Sequence, residues 1–384
     1  MLGKELALLA YLIPDGIVRV GLFRRVLGDV WTRKSFRACP WFRGRSTSLQ
    51  LPLVVFGRDF RLDVAYLDEK NGPMPRTYYF QADRIHYTWD VQHEPGLAVE
   101  SGDVVVVHTR EVSDGQITPA STARALAAID WARVYPLAGP IHVNGAEPGD
   151  VLAVEVLDIH TEGWGWTAII PGFGLLAEQF NEPYLRIFDL ANGDVTHLRD
   201  DIAIPIEPFF GTMGVCPAGA KQLPVMPPGT FGGNMDTRQL TKGTTLFLPI
   251  QVKGALFSCG DAHAAQGDGE VCVTGIESPM YASLRLTLKK GRRIPAPQFV
   301  TSGCLTPRVN HAGLYGTTGV GPDLMQAARD AVSAMVSHLS DTYTLPAEDA
   351  YVLSSLCVDL KISEIVDAGQ YIVSALLPLA VFHS

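Results

Sequence analysis

From about residue 85 onward, short apolar runs separated by turn residues dominate the chain, and these runs predict strands. Ser101–Val112 and Gly145–Thr161 each contain a Gly-Asp turn followed by Val, Leu and Ile interleaved with polar residues, which is typical of strands that bury one face. Further strands are predicted at Thr245–Val252, Ala255–Cys259, Gly269–Ile276, Tyr281–Lys289 and Val358–Val366.

Two segments near the end of the chain predict helices. Asp323–Leu339 repeats apolar residues at helical spacing, and Pro346–Cys357 begins with a proline, which suits the first turn of a helix. The chain also contains 37 Gly and 26 Pro, which favour turns and short strands. The predicted fold class is therefore a β-rich α+β protein with layered sheets and two helices in its C-terminal region.

The first 80 residues differ in charge from the rest of the chain. They carry 13 Lys/Arg against 7 Asp/Glu, a net charge of +6, whereas the remainder carries −15. We therefore predict an N-terminal extension of uncertain structure at 1–80 and a main domain at 81–384. The extension could target the chain or bind a partner, but a differently composed segment without such a role is the simpler interpretation. The overall net charge of −9 argues against nucleic acid as a partner.

Cysteine usage and hydropathy predict a cytoplasmic protein. The six cysteines are widely spaced and contain no C-x-x-C pair, as expected of reduced thiols in a chain of this length. The apolar run Leu6–Ile13 is short and lies between Glu5 and Asp15, so it makes a poor signal peptide. No apolar run approaches the roughly 20 residues that span a bilayer, so no membrane association is expected.

The densest group of reactive side chains lies in GDAHAAQGDGE, residues 260–270, between two apolar runs. Buried carboxylates and an imidazole this close together need a metal, a substrate or mutual hydrogen bonds. Asp261 and His263 are two residues apart, so on a strand they face the same side and could bind one metal ion. A solvated Asp-Gly turn with one hydrogen-bonded histidine is the alternative. The remaining polar residues of the segment are Gln266, Asp268 and Glu270.

Other polar segments give weaker signals. Asn234 and Asp236 alternate after the Pro/Gly-rich segment Leu223–Gly233, which could line a site, and Asp114 and Gln116 follow a predicted strand. Asn, Asp and Gly are also ordinary turn residues, so none of these positions is specific alone. Aromatic side chains that could wall a pocket are Trp164, Trp166 and Phe173, whereas His86 and Trp89 resemble packing residues.

The chain lacks the motifs of several other enzyme mechanisms. The chain has no G-x-S-x-G elbow, no Gly-Gly-Ser-Ser run, no dinucleotide fingerprint and no P-loop. Cys216, in GVCPAG, could serve as a thiol nucleophile. A buried thiol beside a proline turn is the simpler interpretation of that cysteine.

Taken in order, several segments resemble the acetamidase/formamidase family over roughly residues 85–380. The block at 227–280, which contains GGNMD and GDAHAAQGDGE, is the most specific of them. The other matching segments are HYTW (86–89), SDGQIT (113–118), LAGPIHVNGAEPGDVLAVEVLDI (137–159), PGFGLL (171–176), FFGTMGVCPA (209–218) and AEDAYVLSSLCVDLKISEIVD (347–367).

The resemblance implies hydrolysis of small linear amides to a carboxylate and ammonia, a divalent metal with zinc as the first candidate, and a homo-oligomer. It also implies a β-sandwich with a smaller α+β portion. The residues assigned from it are Glu270, Asp236, Asn234 and Asp268 as catalytic groups, Gln116, Gln266 and Phe173 as substrate contacts, and Asp261, His263 and Asp114 as metal ligands. Within this set, Asp236 or Glu270 could replace Asp114 as the third ligand, and Glu270 is the preferred general base. A lactam hydrolase and a non-catalytic binding protein of the same fold are the alternatives.

Overall fold

The computed structural model describes residues 75–80, 84–302, 312–366 and 369–382, together with the backbone of short strands within residues 1–74. The chain divides into two compact units, Met1–Arg76 and Thr77–Ser384. The first unit contains a three-stranded antiparallel sheet and two short strand pairs. Its strands are β1 (Leu6–Leu12), β2 (Val18–Val26), β3 (Val30–Ser35), β4 (Leu53–Phe56), β5 (Leu62–Ala65), β6 (Leu67–Asp68) and β7 (Gly72–Pro73).

The second unit is built mainly from strands, as the abundance of turn residues predicts. Its strands are β8 (Thr77–Phe80), β9 (Ile85–His86), β10 (Thr88–Trp89), β11 (Leu97–Val99), β12 (Val104–Thr109), β13 (Leu137–Val143), β14 (Val151–Thr161), β15 (Trp164–Ile169), β16 (Tyr184–Asp189), β17 (Val195–Arg199), β18 (Ile202–Pro205), β19 (Phe209–Val215), β20 (Leu223–Pro224), β21 (Gly232–Asn234), β22 (Thr245–Pro249), β23 (Phe257–His263), β24 (Met280–Lys289), β25 (Gln298–Val300), β26 (Leu314–Gly321), β27 (Asp359–Glu364) and β28 (Tyr371–Pro378).

Two six-stranded sheets form the centre of this unit. The first has the order β25-β22-β14-β24-β12-β8, and the second has the order β11-β13-β23-β19-β21 with β9 paired to β13. The sheets contact each other where β12 meets β13 and β23, and where β19 meets β22. Strand β24 buries alternate residues from Met280 to Leu286, whereas β19 and β23 are buried along their whole length. Two contacting sheets with helices set apart confirm the predicted β-rich α+β class.

The two predicted helices are confirmed. Helix α1 (Leu324–Tyr343) begins after Asp323, whose carboxylate accepts a hydrogen bond from the Gln326 N–H at 2.7 Å. Helix α2 (Ala347–Cys357) follows Pro346 and is almost entirely buried. Both pack beside the three-stranded sheet β26-β28-β27. Within the described part of the chain, no helix is long and apolar enough to cross a membrane.

One predicted strand is wrong. Gly269–Ile276 forms turns instead, although Val271, Cys272 and Ile276 are buried as a strand would bury them. The backbone hydrogen bonds of this segment go to other loops, for example from the Leu175 N–H to the Val271 carbonyl at 2.8 Å. An apolar run therefore predicted burial correctly here but not the strand conformation. These turns bring Glu270 back toward β23.

Candidate functional site

Four carboxylates and one imidazole converge beside β23. Asp261 and His263 lie on β23, Asp236 follows β21, and Glu270 and Glu277 lie in the turns after β23. The candidate ligand atoms of Asp236, Asp261 and His263 lie within 4.8 Å of one another, and so do those of His263, Glu270 and Glu277. We call these five residues the acidic cluster.

Three members of the acidic cluster have left-handed backbone conformations. The φ angles are 47° at Asp236, 50° at Asp261 and 43° at Glu270. Non-glycine residues rarely adopt this region, at a cost on the order of 1 kcal/mol or more each. Strands β19 and β23 pair Phe210 with Ala262 and Thr212 with Gly260, and the backbone turn at Asp261 interrupts the ladder between these two pairs. Strain concentrated on three acidic residues points to a function that requires their placement.

Gly211, on β19, leaves the space that two of these carboxylates occupy. A Cβ atom at this position would lie 2.5 Å from Asp236 Oδ1 and 2.8 Å from the Asp261 carbonyl oxygen. The Gly211 carbonyl oxygen also accepts a hydrogen bond from the Asp236 N–H at 3.2 Å. Only glycine fits here without displacing the acidic cluster.

Gln266 fixes the orientation of the imidazole. Its side-chain Oε1 lies 2.7 Å from His263 Nδ1, and its Nε2 donates to the Asp236 carbonyl oxygen at 2.8 Å. Because Oε1 can only accept, this hydrogen bond places a proton on His263 Nδ1 and leaves Nε2 as the ring nitrogen that faces the carboxylates. His263 Nε2 lies 3.1 Å from Glu277 Oε2 and 3.4 Å from Asp261 Oδ1. Gln266 thus joins the two loops that supply the cluster, a role different from the predicted substrate contact.

Burial dominates the electrostatics of the acidic cluster. Burial and the Asp261 carboxylate raise the pKa of Asp236 to about 7. Burial also raises the pKa of Glu277 to about 7, and burial together with Asp236 raises the pKa of Glu270 well above its usual value. Burial alone would lower the pKa of His263, but Glu277 and Asp261 outweigh it, so this pKa is raised. Ionising several of these carboxyl groups together is therefore unfavourable unless a further positive charge lies beside them.

The donors present fit a divalent cation. Asp236 Oδ1 is a buried polar atom without a hydrogen-bond partner, and His263 Nε2 and Glu277 Oε2, which form an ion pair at 3.1 Å, make no hydrogen bond. Such buried atoms are rare unless a ligand or ion satisfies them. Within the described residues, the ion pairs of Asp261, Glu270 and Glu277 are all with His263. One imidazole and several carboxylates form a donor set that zinc accepts. Asp236, Asp261, His263 and Glu277 are the residues that could hold it.

The acidic cluster forms the floor of a small pocket. The cavity volume is about 40 Å³, roughly the space of three water molecules. The floor residues are Asp236, Asp261, Glu270 and Glu277, and the wall residues are Val112, Ser113, Ile129, Trp131, Val134, Tyr135, Trp166, Ile170, Phe173, Met226, Val273 and Thr274. The predicted substrate contact Phe173 is therefore on the wall, and the Pro/Gly-rich segment 223–233 contributes Met226.

Two of the predicted site residues tie loops together instead of joining the cluster. Asp114, predicted as a metal ligand, forms ion pairs with Arg110 at 2.5 Å and Arg133 at 2.6 Å, and accepts a hydrogen bond from the Tyr87 hydroxyl at 2.8 Å. These partners hold the pKa of its carboxyl group low despite its burial. Gln116, predicted as a substrate contact, bonds reciprocally with the Asp130 backbone. Both are committed to contacts within the protein.

Asn234 and Asp268, predicted as catalytic groups, also point to structural partners. The Asn234 side-chain oxygen accepts a hydrogen bond from Thr212 Oγ1 at 2.7 Å, and Thr212 Oγ1 lies 3.4 Å from Asp261 Oδ2. The Asp268 carboxylate accepts from Gln239 at 3.0 Å. Neither residue lines the pocket. The alternative nucleophile Cys216 is buried, and burial raises the pKa of its thiol to about 11, which keeps it protonated at neutral pH.

Sequence reasoning missed three residues at the site. Glu277 completes the cluster, and its signal was a lone acidic residue directly after the buried run 271–276. Tyr135 lines the pocket with a φ of 64°, and burial and the facing carboxylates raise the pKa of its hydroxyl. Glu111 is a buried carboxylate that accepts from the Trp166 indole N–H at 2.9 Å. Tyr135 and Glu111 gave no sequence signal beyond their residue type.

Comparison with known proteins points to amide hydrolases. A family model described as the Acetamidase/Formamidase family matches residues 74–224 and 218–384. The chain is 29% identical over 273 residues to an acetamidase of Mycolicibacterium smegmatis, covering 55% of this chain and 67% of that protein. It is 26% identical over 369 residues to a formamidase of Methylophilus methylotrophus, covering 79% and 90%.

Solved structures show the same fold. A structure titled gamma lactamase from Delftia acidovorans superposes with a TM-score of 0.74 at 24% identity, covering 78% of this chain and 90% of that chain. At this identity, the likeness shows the fold alone. An acetamidase structure from Bacillus halodurans has a TM-score of 0.57 at 32% identity, covering 78% of this chain and 97% of that chain.

Proposed function

This chain belongs to the acetamidase/formamidase family, and from that premise we propose that it hydrolyses small linear amides of the formamide and acetamide type to a carboxylate and ammonia. The observation that carries the proposal is the acidic cluster at the floor of the pocket. Carboxylates there can exchange protons with water and with an amide nitrogen, and apolar walls separate them from bulk solvent.

The size of the pocket favours a small acyl group. A cavity volume of about 40 Å³ holds only a few water molecules and therefore favours a compact substrate. A bicyclic lactam would require the walls to move. The lactam alternative therefore has no specific support from the site.

A divalent cation, with zinc as the first candidate, would be held by Asp236, Asp261 and His263 Nε2, with Glu277 as the further carboxylate. When bound, such a cation lowers the pKa of a coordinated water and polarises a carbonyl oxygen. Gln266 keeps His263 in the tautomer that this binding requires. The support for the cation is the set of buried polar atoms and the raised pKa values of the clustered carboxyl groups, which ionise together only beside a further positive charge.

Glu270 is the group that moves protons. Its side chain is 15% exposed and faces the pocket, whereas His263 is almost fully buried. A carboxylate oxygen of Glu270 takes a proton from the attacking water as the water oxygen bonds to the amide carbon. It then delivers the proton to the amide nitrogen as the carbon–nitrogen bond breaks and ammonia leaves. Burial and the Asp236 carboxylate raise the pKa of Glu270, so that it is a stronger base than a carboxylate in water.

Tyr135, on the pocket wall, is a candidate for stabilising the developing negative charge on the carbonyl oxygen. Its hydroxyl group keeps its proton because burial and the facing carboxylates raise its pKa, so it remains a hydrogen-bond donor at the pocket wall. Asn234, which the family resemblance implies as a catalytic group, instead accepts a hydrogen bond from Thr212.

The test is ammonia release from formamide, acetamide, propionamide and a bicyclic lactam, before and after chelation and after zinc is returned. We expect turnover of the small amides that is lost on chelation and regained with zinc. The Glu270→Gln variant should fold and retain zinc but lose about 100-fold or more in kcat, because it cannot transfer the proton.

Three results would contradict this mechanism. Turnover that survives complete chelation would exclude the cation. Wild-type kcat in Glu270→Gln would exclude Glu270 as the proton-transfer group. Absence of ammonia release from every amide by zinc-loaded protein would exclude the proposed activity and favour a binding role.

The location and assembly of the enzyme are also proposals. We place it in the cytoplasm because the four cysteines within the described residues, Cys216, Cys259, Cys272 and Cys357, are buried free thiols. The homo-oligomer implied by the family stays a prediction, and the mass of the protein in solution, measured by light scattering, would test it.

A further inference from the structure

We propose that Trp131 and Phe173 form a rigid aromatic lip that sets the largest acyl group the pocket accepts. The inference rests on the proposed amide hydrolysis and adds the residues that choose among amides. The two rings stack with centroids 5.5 Å apart and an interplanar angle of 18°. Both line the pocket whose floor is the acidic cluster.

The exposure of the two ends of the pocket places the lip at its mouth. Trp131 is 49% exposed, whereas Asp261 and Glu277 on the floor are each 2% exposed. An amide whose carbon lies near the floor must therefore direct its acyl chain toward the two rings. Large aromatic rings in such a position restrict length because a longer chain would have to displace them.

Hydrogen bonds fix the backbone on both sides of Trp131. It begins the short 3₁₀ helix Trp131–Arg133. On one side, the Asp130 N–H donates to Gln116 Oε1 at 2.7 Å and the Asp130 carbonyl accepts from Gln116 Nε2 at 3.1 Å. On the other side, Arg133 Nη2 and Nε donate to Asp114 Oδ2 at 2.6 Å and 3.1 Å. The backbone that carries the Trp131 ring therefore has little freedom to move away.

The segment that holds Trp131 is itself anchored. The buried Glu111 carboxylate accepts hydrogen bonds from Ser113 N–H at 2.8 Å, from Gly115 N–H at 2.5 Å and from the Trp166 indole at 2.9 Å. Below it, a separate apolar cluster contains Val112, Ile117, Leu126, Trp166 and Ala168. The lip thus rests on packed and hydrogen-bonded support, which a size limit requires.

The test is the Trp131→Ala variant with a series of amides from formamide and acetamide to propionamide and butyramide. We expect the ratio of kcat/KM for butyramide to that for acetamide to rise about tenfold or more, because the variant removes the ring that opposes the longer chain. The kcat/KM for acetamide is the reference within each protein. Trp131→Phe, which keeps an aromatic ring, should restore most of the wild-type ratio.

The matched control is Phe299→Ala. Phe299 is also an aromatic residue about half exposed, at 47%, but it lies on β25 and is not part of the pocket. We expect Phe299→Ala to keep the wild-type ratio of kcat/KM for butyramide to that for acetamide. An unchanged ratio in a folded Trp131→Ala variant, or an equal rise in Phe299→Ala, would overturn the inference.

A binding measurement separates this inference from the proposed activity. In zinc-loaded protein, the rise in Tm produced by each amide should fall with acyl length in wild type and fall less in Trp131→Ala. That pattern without ammonia release would support the lip and contradict the hydrolysis. Hydrolysis with the same length dependence in both proteins would support the activity and contradict the lip.

Discussion

At the scale of single residues, the absence of one side chain decides whether the acidic cluster can form. Gly211 faces Asp236 and Asp261 so closely that a methyl group would lie 2.5 Å from a carboxylate oxygen. The left-handed backbones of the two aspartates restrict how far their side chains can shift away from residue 211. The geometry of the cluster thus depends on a residue that has no functional group of its own.

Gly211→Ala should therefore lose zinc while keeping its fold. We expect metal retention after dialysis to fall at least tenfold, and ammonia release to fall with it, because the added methyl group displaces Asp236 or Asp261. Gly321→Ala is the control, since a Cβ atom there meets nothing within 4 Å. Wild-type zinc content in Gly211→Ala would show that the carboxylates adjust without consequence.

Sequence patterns predicted which residues are reactive better than they predicted where those residues point. Asp261, His263 and Glu270 were found because they crowd into one short segment between apolar runs, and the structure brings them together. Asp114 also lies in a polar segment, yet it faces two arginines. An Asp-Gly pair serves a turn and a site equally well. The contacts that separate the two uses come from distant parts of the chain.

At the scale of elements, helices follow from the local sequence pattern, whereas short strands depend on pairing with distant parts of the chain. The helical spacing of 323–339 predicted α1 to within a few residues, because a helix is stabilised by its own near neighbours. The edge strand β8 was not predicted, since it is short and its partner β12 lies about 25 residues away. It falls within the predicted extension 1–80 but pairs with the central sheet of the second unit, and the boundary at 80 stays a prediction.

Phe80→Ala should show that β8 belongs to the core of the second unit. Phe80 is 3% exposed, so its truncation should lower the free energy of unfolding by about 3–5 kcal/mol. Its neighbour Tyr79, which is 65% exposed, provides the control, and Tyr79→Ala should change stability by less than about 1 kcal/mol. Urea denaturation compares the two. Equal, small losses would mean that β8 contributes no core packing.

At the scale of the whole molecule, buried ionisable groups make stability depend on pH. His86 hydrogen-bonds to Ser258 Oγ at 2.9 Å and to the Thr88 carbonyl at 2.8 Å. Burial and the neighbouring His93 lower its pKa from 6.5 to about 4. Between these two pH values the unfolded chain binds a proton on His86 that the folded protein does not. Stability contributed by His86 is therefore present above pH 6.5 and is lost as the pH falls toward 4.

Comparing wild type with His86→Gln isolates this effect. Between pH 6.5 and 4, the free energy of unfolding should fall by about 3 kcal/mol more in wild type than in the variant, because glutamine does not titrate. The exposed His197 is the control, and His197→Gln should follow wild type across the range. Urea denaturation at several pH values measures the free energy of unfolding of the three proteins. Parallel curves for wild type and His86→Gln would show that His86 is protonated without penalty in the folded state.

The order of the site residues along the chain has a consequence for how the enzyme can diversify. All five members of the acidic cluster come from residues 236–277, whereas most wall residues, including both rings of the lip, come from residues 112–173. Apart from Tyr135, the groups proposed to break the bond and the groups proposed to choose the substrate thus lie on separate stretches of one polypeptide. A lineage could exchange or rebuild the earlier stretch and acquire new amides while the later stretch, with its chemistry, passes on unaltered.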